Sequence, residues 1–255
     1  MSPFSNRRTF LVSTGVGGAS LLLGCGKAAI SSPRSGKGAA SQSSAEAPRK
    51  ADAEASDEPE VTAVEDLMRE HGVIRRALVV CREAAARLHA KALVPADALG
   101  KTAALFRAFA EDYHERKLEE EFIFPALSRT GGRAAKQVET LVAQNNRGRE
   151  ITDYVIAVTA SSITTAHAES IARSLEAFAR MYDAHAAFED TVVFPEWKRT
   201  MSPKQLDEFG DRFEDIEHIT FGKNGYEDAV AQITGIEMSL GIDLATMTAP
   251  PPARF

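Results

Sequence analysis

The chain has 255 residues, of which 44% are hydrophobic, so it is long enough to enclose one ordinary hydrophobic core. Its formal net charge is −6 and it contains no basic stripe, which argues against nucleic acid as a partner. The two cysteines, Cys25 and Cys81, fall in very different sequence contexts, which argues against a disulfide framework.

Residues 1–25 are interpreted as an export signal rather than as part of the fold. The paired Arg7 and Arg8 precede an apolar, glycine-rich run that looks like a twin-arginine signal, which exports proteins already folded. The stretch "LLGC", Leu22 to Cys25, resembles a lipobox and implies cleavage before Cys25 and lipidation of its thiol. Plain signal-peptidase cleavage, or an uncleaved N-terminal anchor, is the alternative.

Residues 26–60 are rich in Ser, Ala, Gly, Lys and Pro and contain almost no large apolar side chains. Such a composition cannot bury enough surface to offset the entropy lost on ordering the chain. This segment is therefore predicted to be a flexible tether between the membrane and the folded domain.

Helical periodicity dominates residues 61–242, which form the predicted domain. Four long helices are predicted, over about residues 61–88, 97–124, 134–159 and 170–195. A fifth is predicted from about Pro203 to Gly235, with an interruption near Gly222–Gly225 as an alternative, and residues 243–255 form a disordered tail. Long helices joined by short turns favour an all-α, antiparallel bundle.

Polar side chains interrupt the apolar stripes of these helices. His71 lies on the stripe of the first helix, and His185 and Glu189, which are four residues apart and therefore project side by side, lie on that of the fourth. A buried carboxylate is costly unless it is paired or bound to a metal, and imidazole with carboxylate suits a first-row metal such as iron. The pattern predicts a metal site, with hydrogen-bonded core histidines and a metal-free buried pair as the alternatives.

The second helix carries "YHERKLEEEFIFPAL" and the fourth carries "AHAAFEDTVVFPEW". Aligning their Phe-Pro pairs places Glu119 opposite Glu189, and Glu115 rather than His114 opposite His185. His114 and Glu119 are five residues apart, which is about 140° on a regular helix. Both reach one site only if the helix contains a π-bulge. Otherwise Glu115 and Glu119 point inward together, with His114 to the side.

The segments "LMREHGVIRRAL" around His71, "DYHERKLEEEFIFP" and "HAAFEDTVVFP" resemble those of the bacterial hemerythrin-like (HHE cation-binding) proteins, over about residues 61–197. The resemblance implies an up-down-up-down four-helix bundle, here with an additional C-terminal helix. It also implies a pair of non-haem irons that is bridged by carboxylates and capped by histidines, and many members of the family bind dioxygen reversibly. By that resemblance His71, His185 and Glu189 would be ligands, with Glu189 as a bridge.

The third predicted helix departs from the family pattern. Members usually carry a histidine ligand there, whereas this helix reads "LVAQNNRGREIT" and has Asn145 at that place, on an inward-facing stripe. Because an amide oxygen is a poor iron ligand beside imidazole, one iron is expected to be weakly held, open or absent, and in the last case the centre would be mononuclear. An ordinary buried amide is the alternative. His218 lies off the stripe of its helix, although it could replace the missing histidine if that helix folds over the bundle.

These observations predict an exported, periplasmic, membrane-anchored protein whose iron binds or senses dioxygen or a related small ligand. This function is expected of a binding protein more than of an enzyme. One alternative is a metal-dependent oxidoreductase on the same scaffold, acting on peroxide, nitric oxide or ferrous iron. The other is a metal-free helical interaction module.

Overall fold

The structure is a computed structural model that describes residues 61–161 and 163–251. The predicted export signal with Arg7, Arg8 and Cys25, and the predicted tether over residues 26–60, lie outside the described residues. Within the described part every regular element is helical, which confirms the predicted all-α class. None of these helices is both long enough and apolar enough to cross a bilayer.

Six continuous helices follow one another in the described part of the chain, and two of them contain π-helical segments. Helix α1 is Ala63–His89. Helix α2 covers residues 96–128 and consists of an α-helical start (Ala96–Leu105), a long π-helical middle (Phe106–Ile123) and a short α-helical end (Phe124–Ser128). A 3₁₀ turn (Ala135–Gln137) precedes α3, Val138–Thr159. Helix α4 covers residues 165–199, with α-helical Thr165–Phe188, π-helical Glu189–Val193 and α-helical Phe194–Arg199. Helices α5 and α6 are Pro203–Phe221 and Gly225–Leu240.

Local chemistry explains where several helices begin and end. Thr62 starts α1 with a capping box: its hydroxyl accepts from the Glu65 N–H at 3.3 Å, and the Glu65 carboxylate accepts from the Thr62 N–H at 2.8 Å. Gly222 ends α5 with a φ of 73°, a left-handed conformation that suits glycine. The predicted fifth helix is therefore two helices, as the interrupted alternative anticipated.

Helices α1–α4 form the four-helix bundle. Helix α1 packs along α4 and α2 along α3, while contacts between α3 and α4 and between α1 and α2 close the ring. Helices α5 and α6 lie against α1 and α2 on the outside of this ring. Trp197, at the end of α4, is buried and stacks on Phe213 of α5, with ring centroids 5.8 Å apart. The core of the bundle thus lies between four helices, and the polar residues on their inner stripes meet there.

Candidate metal centre

Both Phe-Pro pairs end a π-helical segment, and this backbone geometry positions the site. The N–H of Phe124 donates to the carbonyl of Glu119, and the N–H of Phe194 donates to the carbonyl of Glu189. Each of these bonds spans five residues, as in a π-helix, instead of the four of an α-helix. The repeated bond makes Glu119 the structural counterpart of Glu189, as the aligned sequences predicted.

The π-helical segments also explain the unequal spacing of the two motifs. In α2 the π-helix begins before His114, so the five-residue step to Glu119 is one turn, and His114 Nε2 lies 3.4 Å from Glu119 Oε1. In α4 the π-helix begins only at Glu189, so the four-residue step from His185 is one α-helical turn. Here His185 Nε2 lies 3.0 Å from Glu189 Oε1. Different spacings thus produce equivalent pairs of side chains.

Five buried side chains from three helices form two groups that could each hold a metal ion. The first group is His71, His114 and Glu119, and the second is Glu119, His185 and Glu189; in each group one ligand atom per residue lies within 4.8 Å of the others. Glu119 belongs to both groups. Glu189 also reaches towards both, because its Oε2 lies 3.5 Å from His71 Nε2 while its Oε1 faces His185. The arrangement is two adjacent positions with two carboxylates between them.

Most inward-facing atoms of this cluster make no hydrogen bond of suitable geometry to the described residues, although His185 Nε2 and Glu189 Oε1 lie only 3.0 Å apart. The atoms without such a bond are Nε2 of His114 and His185 and both carboxylate oxygens of Glu119 and Glu189. Folded proteins pair nearly all of their buried polar atoms, so such a concentration of unpaired atoms indicates a missing partner. Imidazole and carboxylate are donors that suit iron and related metals. The residues present therefore fit a metal centre.

Each histidine of the cluster is oriented by a contact at its other ring nitrogen. His71 Nδ1 lies 2.7 Å from Asp190 Oδ1, His114 Nδ1 lies 2.6 Å from Glu70 Oε2, and His185 Nδ1 lies 2.9 Å from Gln144 Oε1. Because ionised carboxylate and amide oxygens only accept hydrogen bonds, we assign the proton to Nδ1 in each ring when a metal is bound. The lone pair on Nε2 then faces the cluster, which is the arrangement that metal-binding histidines use.

These three outer partners were not predicted from the sequence. Glu70 precedes His71 in the chain and Asp190 follows Glu189, yet each holds a histidine that lies on another helix. The one available signal was an acidic residue directly beside a candidate ligand. That signal does not tell which histidine the carboxylate will reach, because the contact is made across the bundle.

Burial controls the protonation of the cluster. Burial raises the pKa of Glu119 to about 8, with the Glu189 carboxylate adding to the shift, and burial likewise raises the pKa of Glu189 to about 8. Burial lowers the pKa of His71 to about 3. For His114 burial acts in the same downward direction, but the carboxylates of Glu119 and Glu70 outweigh it and hold its pKa well above the ordinary value. Without a metal the cluster retains protons, and a bound cation would replace them.

Glu115 faces inward but belongs to neither ligand group. It is buried, its Oε1 accepts from the Tyr182 hydroxyl at 2.7 Å, and its Oε2 accepts from Arg149 at 3.0 Å. Arg149 also donates to Glu120 Oε1 at 2.7 Å. The structure thus brings His114 to the cluster and places Glu115 in a hydrogen-bonded network beside it.

Asn145 is fully buried on α3, as its position on the inward stripe predicted. Its Nδ2 donates to Glu120 Oε1 at 3.1 Å, while its Oδ1 accepts no hydrogen bond from the described residues. It follows Gln144, the residue that holds His185. Asn145 therefore presents an amide oxygen in this part of the core and not an imidazole.

The remaining histidines, His89, His167 and His218, belong to neither ligand group. His89 is paired with Glu169 and Glu176 between α1 and α4, with its ring nitrogens 3.0 and 3.2 Å from their carboxylate oxygens. His218 is exposed, and its Nε2 lies 3.3 Å from Asn224 Oδ1 at the end of α5. His218 therefore does not take the place of the missing histidine.

Comparisons with known proteins agree with this geometry. Residues 62–197 match the family model described as the hemerythrin HHE cation binding domain, and the match contains both ligand groups. An uncharacterised protein of Mycobacterium bovis is 42% identical over 191 residues, which cover 74% of this chain and 74% of the relative. Uncharacterised proteins of Mycobacterium tuberculosis, from strains CDC 1551 and H37Rv, match with the same identity and coverage. No solved structure gives a significant match. The chain belongs to the hemerythrin HHE cation-binding family.

Proposed function

We propose that this protein is a non-haem iron protein that binds or senses dioxygen, or a related small ligand, beyond the cytoplasmic membrane. The observation that carries the proposal is the pair of buried ligand groups joined by Glu119, with most of their inward-facing atoms left without hydrogen bonds in the described structure. Bound iron would supply a redox-active Lewis acid with coordination positions left for a small ligand.

The side chains of the cluster would bind and orient the metal ions. The Nε2 atoms of His71, His114 and His185 would be the nitrogen donors, with the Nδ1 contacts fixing the ring orientations. The carboxylates of Glu119 and Glu189 would supply the oxygen donors. Because all five side chains are at most 3% exposed, the protein would also keep bulk water from the ligand.

The location is proposed from the sequence of the N-terminus. Arg7, Arg8 and the Cys25 motif support export of the folded protein and attachment to the membrane through a lipid. Fractionation of cells that produce the full chain and its Cys25→Ala variant tests this part separately. The wild-type protein should stay with the membrane fraction, and the variant should lose that attachment.

Metal analysis combined with absorption spectroscopy tests the iron proposal. We expect iron to copurify with the protein and the oxidised form to show charge-transfer absorption that azide changes. His71→Ala should lose iron and His185→Ala should bind less metal in total than the wild type, whereas His218→Ala, which changes an exposed histidine outside the cluster, should bind as much as the wild type. A well-folded wild-type protein that never takes up iron would contradict the proposal, as would iron that both cluster variants retain in full.

A metal-dependent oxidoreductase is the second candidate. The second ligand group contains a single histidine, so a metal there would have more positions open to a substrate. Turnover assays with peroxide, nitric oxide or ferrous iron distinguish the two candidates, because a stable oxygen complex without turnover would contradict the enzyme. The metal-free interaction module is disfavoured, since each unpaired buried polar group costs about 1–3 kcal/mol.

A further inference from the structure

The two ligand groups differ in their nitrogen donors. The first position is faced by two imidazole nitrogens, those of His71 and His114, whereas the second is faced by that of His185 alone. Glu119 and Glu189 lie between the positions and offer oxygen atoms to both. The first position is therefore rich in nitrogen, and the second is dominated by carboxylate oxygen.

The outer partners of the histidines increase this difference. The two histidines of the first position are held by carboxylates, those of Asp190 and Glu70. Both carboxylates are anchored in turn, since Asp190 pairs with Arg75 and Glu70 Oε1 accepts from the Tyr113 hydroxyl at 3.0 Å. A carboxylate partner makes an imidazole a stronger donor. The histidine of the second position is held by the neutral amide of Gln144 instead.

Helix α3 supplies no histidine to either ligand group. Asn145 follows Gln144, and its Oδ1 is buried and accepts no hydrogen bond from the described residues. Amide and carboxylate oxygens are the donors that harder divalent cations such as Mn²⁺ accept readily, while imidazole favours iron and the later metals.

We infer that the centre is a mixed-metal site. The first position binds iron tightly, and the second binds metal weakly and exchangeably and accepts an oxygen-preferring divalent cation of the Mn²⁺ class. The inference rests on the proposed function in that it takes both ligand groups as metal positions. Divalent iron binds most nitrogen and oxygen sites more tightly than manganese does, so the preference for iron is smallest where nitrogen donors are fewest.

Titration of the metal-free protein under anaerobic conditions tests the inference without any activity assay. Fe²⁺ should fill one position first, and the second equivalent should bind at least about tenfold more weakly, in line with the effect of outer partners on metal affinity. Protein that carries one equivalent of Fe²⁺ should then bind one equivalent of Mn²⁺. Calorimetry measures the affinities, and loss of the aqueous Mn²⁺ signal in electron paramagnetic resonance measures uptake. Desalting should remove the manganese before the iron.

Variants assign the two positions. His185→Ala should abolish Mn²⁺ uptake and keep one tightly bound iron, whereas His71→Ala should abolish tight iron binding, and the His218→Ala control should behave like the wild type. Two irons of equal affinity, or refusal of Mn²⁺ by the wild-type protein that holds one iron, would overturn the inference and leave the iron proposal standing. Unchanged Mn²⁺ uptake by a folded His185→Ala protein would also overturn it. Binding of no metal at all would overturn both.

Discussion

Replacement of Gly148 by alanine tests the packing beside the proposed metal centre. Gly148 is buried within α3, and an added Cβ would lie 1.9 Å from the hydroxyl oxygen of Tyr182 and 2.7 Å from its Cζ atom. Tyr182 has little room to move, because it is 2% exposed and its ring packs against Phe106 and Phe178 with centroids 4.8 Å away in each case. The substitution must therefore displace either the ring or α3.

Opposing effects decide the size of the change in stability. Alanine favours a helix over glycine by about 1 kcal/mol, which acts against the clash. Overpacking a core costs about 1–3 kcal/mol, and displacing the hydroxyl from Glu115 removes a hydrogen bond to a buried carboxyl group, worth about 1.5–3 kcal/mol. We expect Gly148→Ala to reduce the free energy of unfolding by about 1.5–5 kcal/mol and the melting temperature by at least about 3 °C.

Denaturation followed by circular dichroism measures this change, and Gly235 supplies a matched control. Gly235 also lies inside a helix, but it is exposed and an added Cβ would meet no atom within 4 Å. Gly235→Ala should therefore stabilise the protein by about 0.5–1 kcal/mol. If both substitutions stabilise the protein, the described position of the Tyr182 ring against Gly148 is wrong. In a Tyr182→Phe background the cost of Gly148→Ala should be smaller, and an equal cost in both backgrounds would refute the reasoning.

Three further predictions concern the centre itself. Glu70→Gln should weaken metal binding about 10–100-fold in a calorimetric titration, because the imidazole that it holds loses its carboxylate partner; unchanged affinity would show that this contact is unimportant. Asn145→His should strengthen binding of the second metal ion by adding an imidazole, whereas Asn146→His, at the exposed neighbouring position, should not. The metal-free protein should lose stability as the pH rises from about 7 to 8. Burial raises the pKa values of Glu119 and Glu189 to about 8 in the folded protein. In this pH range both carboxyl groups therefore hold protons in the folded state that the unfolded chain has already released. Denaturation at both pH values measures this loss, and it should disappear in metal-loaded protein.

The helices were predictable where apolar residues repeat at helical spacing. The alternation of three- and four-residue steps gave α1, most of α2 and α3, and the main part of α4. Helix α4 begins at Thr165, earlier than the predicted start near residue 170. The sequence pattern did not reveal these first turns, because they are largely exposed and carry no apolar stripe. A stretch of this kind is helical through local propensity and continuity with the following turns, which a pattern of burial does not reveal.

The spacing of candidate ligands could not be interpreted without the backbone. Five residues from His114 to Glu119 are compatible with either a π-helix that unites them or an α-helix that brings Glu115 inward. The choice depends on which carbonyl each N–H reaches over the whole segment Phe106–Ile123. That hydrogen-bond pattern is fixed by how α2 packs in the bundle, and the apolar residues near His114 fit both arrangements.

The outer partners of the centre show why motifs on single helices give only part of it. The acidic residue beside His71 holds His114 on α2, and the acidic residue beside Glu189 holds His71 on α1. Helices α1 and α4 therefore each contribute a candidate ligand to the centre and a partner to a histidine on another helix. The ring orientations that metal binding needs exist only when the helices are packed at the correct relative heights. A shift of α1 against α2 by one turn, about 5.4 Å, would break the contact between Glu70 and His114 even though every motif in the sequence stayed the same.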